Sequence, residues 1–71
     1  MKPINQPSRY RVVVRGGLGS FFASVFEDFE LDSHGGETSL TGCFADQAEL
    51  HGLLDRLRNL GIHIVSVNPV E

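Results

Sequence analysis

The chain is 71 residues long, with 9 acidic and 6 basic residues, a formal charge of −3 and one cysteine. That length leaves room for a single domain, which buries only about 60 % of its unfolded surface and makes a monomer marginal. The charge argues against a generic nucleic-acid surface, lone Cys43 rules out an internal disulfide scaffold, and no apolar run approaches the roughly 20 residues that cross a bilayer.

Residues 1–8 (MKPINQPS) read as a flexible tail, since Pro3 and Pro7 oppose helix and ladder alike. No apolar run follows Lys2, as a signal peptide would require. The domain is expected over 9–71. Arg9 to Arg15 alternates as a strand, with Tyr10, Val12 and Val14 on one face and Arg9, Arg11, Val13 and Arg15 on the other. Gly16, Gly17 and Gly19 then turn the chain. From Leu18 to about Asp28, the spacing of Leu18, Phe21, Phe22, Val25 and Phe29 predicts a helix, which a cap at Ser20 would shorten; the competing reading is a strand, which Phe and Val favour.

Phe29 to Ser33 alternates apolar and acidic residues, and Gly35-Gly36 is a hairpin signal. Glu37 to Phe44 returns as a strand with Thr38, Leu40, Gly42 and Phe44 on one face. Gly42 inside it marks a bulge or a close backbone approach. Asp46 and Glu49 have the spacing of a capping box. Leu50, Leu53, Leu54, Leu57 and Leu60 follow at helical spacing, and Gly61 stops the helix. Ile62 to Val67 is a β-branched strand that Pro69 is expected to end.

The order β-α-β-β-α-β is that of an α+β, ferredoxin-like domain, a four-stranded antiparallel sheet with two helices on one face. The segment LTGCFADQAELHGLLDRLRNLGIHIVSVNP resembles the C-terminal half of small stand-alone bacterial proteins common in actinobacteria. The resemblance implies a unit of this kind and no assigned activity. The order also resembles that of ACT-type regulatory domains, with Gly17-Leu18 at their strand-to-helix glycine. This implies amino-acid binding at a subunit interface, although no Asp-Arg-Pro precedes the glycine.

Arg11, Arg15 and Gly17 form the candidate ligand site, where guanidinium groups and backbone N–H groups would receive a small anion. The bland alternative pairs the arginines with Glu30 or Asp32 across the strands. Ser39, Thr41 and Cys43 stand where an RNA-binding sheet would carry aromatics, so nucleic acid is not expected. Cys43, His34, His51 and His63 share no catalytic or metal-ligand spacing, and His51 reads as a helix-surface partner of Asp55. No catalytic residue, metal or cofactor is therefore assigned. Val13, His63, Val65 and Val67 would form an exposed apolar strip and so an interface.

These readings describe a small, non-enzymatic, cytoplasmic regulatory or adaptor module that forms a homodimer through its open sheet face or last strand. Its partners would be itself, another protein or a small anionic ligand, with no membrane. An alternative reading is a small enzyme with Cys43 or His63 in the cleft of a dimer.

Overall fold

Alternation along the first strand decides the layering. β1 (Ser8–Arg15) buries Val12 and Val14 completely, while Arg9, Arg11 and Arg15 on its other face stay exposed. The computed structural model describes residues 8–16 and 20–70. Gly17, Leu18 and Gly19 lie outside them, as does the expected tail except Ser8, which pairs with Phe44 and so opens β1.

After β1 come α1 (Ser20–Val25), β2 (Glu30–His34), β3 (Glu37–Phe44), α2 (Gln47–Asn59) and β4 (Ile64–Val70). The strands form one antiparallel sheet in the order β2-β3-β1-β4, so β1 and β3 are central and β2 and β4 are edges. Phe22 and Phe26 from the α1 region and Leu50, Leu53 and Leu57 from α2 pack with Val12, Val14, Leu40 and Phe44 in one core. Both helices therefore cover the same sheet face.

α1 is shorter than its periodicity predicts. Glu27 and Asp28 fall where the helix would end, and carboxylates are unfavourable at the negative end of the macrodipole. The chain instead turns at Phe26, whose carbonyl accepts from Phe29 N–H at 3.1 Å. Phe26 is 1 % exposed, which makes it a central core residue that the expected stripe omitted. Phe29 then lies across Gly42: a Cβ built there would stand 2.6 Å from Phe29 Cε1. Gly42 is thus a close approach between a backbone and a ring, one of its two expected roles.

The Gly35-Gly36 turn has φ of 59° and 79°, the left-handed pair that suits a two-residue hairpin. Thr38, 2 % exposed, is buried on the helix side of β3, and its hydroxyl donates to Gly16 O at 2.8 Å. That bond meets the requirement that a buried hydroxyl be paired.

α2 is capped at both ends. Asp46 accepts from Glu49 N–H at 2.9 Å, and Glu49 reaches back to Ala45 N–H at 3.3 Å. At the other end Gly61 takes φ 76°, so its N–H bonds Arg58 O and Ile62 N–H bonds Leu57 O, each at 2.9 Å. This is the Schellman pattern. Leu60, expected on the buried stripe, is 53 % exposed because it is the cap residue, and Leu54 is only partly buried.

β4 departs most from expectation. It starts at Ile64 rather than Ile62 and runs through Pro69, which pairs opposite Tyr10. An edge strand tolerates proline because its outer N–H positions need no partner. Val12 faces Val67, Val13 faces Ser66, but Val14 faces Ile64, so Val65 is an extra residue. Such a bulge shifts the side-chain phase. Ile64 and Val67 both pack on the core, which strict alternation would forbid.

This packing sets the cost of substitution at four positions. Leu57→Ala should cost about 2–5 kcal/mol in urea unfolding, while Leu60→Ala should stay within about 0.5 kcal/mol. Gly42→Ala should destabilise by roughly 1–3 kcal/mol through displacement of Phe29. Gly52→Ala, in mid-helix with nothing within 4 Å of its added Cβ, should stabilise by about 0.5–1 kcal/mol on the same assay.

Candidate functional site

Residues that pair across an antiparallel ladder lie on one face, so the register gives the open face directly. One row across the sheet runs Glu30, Thr41, Arg11 and Asn68, and the next runs Asp32, Ser39, Val13 and Ser66. Towards the hairpin, His34, Glu37 and Arg15 form a third row. The face is therefore acidic on β2 and basic on β1, with Ser39, Thr41 and the acidic Glu37 on β3.

Long side chains bridge these strands. Arg9 reaches Glu30 at 3.8 Å, the cross-strand pairing expected of this row of arginines. Both partners are largely exposed, at 45 % and 82 %, so the pair contributes little to stability. Arg11 Nε donates to Thr41 Oγ1 at 3.4 Å, and Thr41 is only 7 % exposed although it lies on the open face. An open groove of about 470 Å³ runs over this area, lined by Arg11, Val13, Glu30, Asp32, His34, Glu37, Ser39 and Thr41. Three carboxylates against one guanidinium make it an acidic groove.

The sequence-derived site residues are dispersed. Arg11 lies in the groove, Arg15 lies in the hairpin-end row, and Gly17 is outside the described residues. Val13 is half-buried on the open face, Val65 is exposed at the bulge, and Val67 is turned to the core. The apolar strip is therefore not continuous. His63 precedes β4, and its carbonyl accepts from Arg15 N–H at 2.9 Å.

The thiol does not converge with the imidazoles of His34 or His63. Cys43 pairs with Arg9, whereas the His63 carbonyl binds at Arg15, six residues along β1 and so about 20 Å away. His34 pairs with Glu37, again six residues from Cys43 along β3. His51 is exposed on α2, and Asp55 accepts from Arg58 at 3.4 Å instead of pairing with it. Among the described residues, no three His, Cys, Asp or Glu side chains gather as a metal site needs. No helix among them is long and apolar enough to cross a membrane.

A further contact escaped the sequence reading. Arg56 lies over the Phe26 ring at 5.0 Å from its centroid, a cation–π contact that ties α2 to the turn after α1. Nothing local announces it, because the partners are 30 residues apart.

Residues 9–68 match the model of a family described as a domain of unknown function (DUF8691). No curated protein and no solved structure matches the chain.

Arg11→Ala is expected to change unfolding free energy by less than about 1 kcal/mol, since its side chain makes one long, partly exposed hydrogen bond. A loss as large as that of Leu57→Ala in the same urea titration would make Arg11 a structural residue.

Proposed function

The chain belongs to the DUF8691 family, and we propose that it is a small, non-enzymatic regulatory or adaptor module that self-associates as a two-fold dimer through its open sheet face. The observation that carries this reading is the one-sided core. Both helices cover one face of the sheet, and the register leaves the other to solvent. We read the strand order β2-β3-β1-β4 with same-side helices as a ferredoxin-like arrangement. Fold alone assigns no activity, so the argument rests on the face itself.

The last strand is the weaker route to association. Pairing along β4 needs a regular free edge, and this edge carries a bulge at Val65 and a proline at position 69. Both features blunt edge-to-edge pairing. The open face is about 19 Å wide and 23 Å long from strand spacing and rise, roughly 450 Å² in projection per copy. Two copies would bury about 900 Å², near the lower limit for a specific interface, so the dimer should be weak and concentration-dependent.

A small anion at Arg11 and Arg15 draws less support, because Glu30, Asp32 and Glu37 share the groove with Arg11. Amino-acid binding of the ACT type would rest on Gly17, which lies outside the described residues. The enzyme reading, with Cys43 or His63 in the cleft of a dimer, draws less support, because the register sets Cys43 six residues along the sheet from the strand position that holds the His63 backbone. Lone Cys43 supports a reducing, cytoplasmic setting.

Light scattering over a wide range of concentration tests the proposal. The expected result is a mass approaching twice that of the chain at high concentration and falling on dilution. A single-chain mass throughout would overturn it.

A further inference from the structure

One row of charge on the open face has a symmetry that a second copy can satisfy. Arg11 and Glu30 both pair with Thr41, so they stand on either side of β3 in one row. Adjacent strands are about 4.8 Å apart, which places the two backbone positions roughly 10 Å apart with β3 midway. A two-fold axis running along β3, above the face, exchanges the two positions and preserves the row.

Resting on the reading of this face as a self-interface, we infer that two copies meet face to face about such an axis, with Arg11 of each copy opposite the partner subunit's Glu30. The contact is isologous, so each dimer contains it twice. Sheets stacked face to face lie about 10 Å apart, a gap that these long side chains span. On the axis itself stand the short Thr41 and Cys43, which leave room for approach. Towards the hairpin, Glu37 on β3 meets its own image, flanked by Arg15 from both copies, so that end also balances in charge. The exposed Arg9–Glu30 bond within each chain is weak enough to be exchanged for the intersubunit one.

Reversing the two charges tests the register. R11E alone and E30R alone should each weaken dimerisation by about tenfold or more, because each sets like charges opposite one another twice per dimer. The double variant R11E/E30R, and an equimolar mixture of the single variants, should recover dimerisation to within about threefold of the original chain. Circular dichroism checks that the variants fold. The axis also brings Cys43 opposite the partner subunit's Cys43, so a short bis-maleimide should link the original chain into dimers and leave C43S unlinked.

The outcomes separate the two readings. A dimer that is indifferent to both reversals, is not rescued by the double variant, or is not linked through Cys43 overturns this register while self-association stands. A chain that stays monomeric at every concentration overturns both.

Discussion

One layer of side chains between the sheet and its helices holds this protein together, and most of its other features follow from there being no second layer among the described residues. The two described helices both pack on one face of the four-stranded sheet. Val12 and Val14 on central β1 lie at the middle of that layer with no solvent exposure, and Leu40 and Phe44 extend it along β3. Once the helices are on one side, the alternation that buries these residues exposes their neighbours. Arg11 is exposed because Val12 is buried.

Within the layer, aromatic rings provide continuity where the helices are short. Phe22 and Phe26 lie 4.4 Å apart, Phe26 leads to Phe29 at 6.2 Å, and Phe29 leads to Phe44 at 5.7 Å. Tyr10 closes the series edge-on against Phe44 at 6.2 Å. Such pairs add about 0.5–1.5 kcal/mol each beyond their buried area, a substantial help to a six-residue helix. The absence of a side chain at Gly42 lets Phe29 take part, since any Cβ there would occupy the space of its ring.

The same arrangement determines what the molecule can offer a partner. Its edges are poor templates: β2 has five residues and carries charge, while β4 is broken by a bulge and a proline. Its open face is mixed in polarity and ordered in charge, acidic on β2 and basic on β1. An apolar face would bind without discrimination, whereas a face patterned in this way favours a partner with the complementary pattern. In the row of Arg11 and Glu30, a second copy turned about β3 would carry one. Cys43, by contrast, stands six residues along the sheet from His34 and from the position that holds the His63 backbone.

Local signals account for much of the fold. Asp46, Glu49 and Gly61 mark the ends of α2, the Gly35-Gly36 pair marks the hairpin, and alternation from Tyr10 to Val14 assigns the faces of β1. Each works within a few residues, through a side chain bonding a nearby backbone group or through the permissive φ of glycine. The candidate site was partly legible too, since the row of arginines and its acidic cross-strand partners could be read from spacing. Phe26 was missed because the apolar run around it offers more than one helical stripe, and only packing against α2 and Phe29 chooses among them. Leu60 fits the leucine repeat yet points to solvent, because the turn at Gly61 takes the chain away there. The bulge at Val65 had no local mark at all. By itself, then, the sequence determined the order of the elements, the caps of α2 and the two faces of the first strand, all governed by neighbours in the chain. Tertiary structure alone decided which face of β4 is buried and which charges share a row, because register is set by pairing with β1, and an extra residue in one strand costs nothing until the strands are aligned.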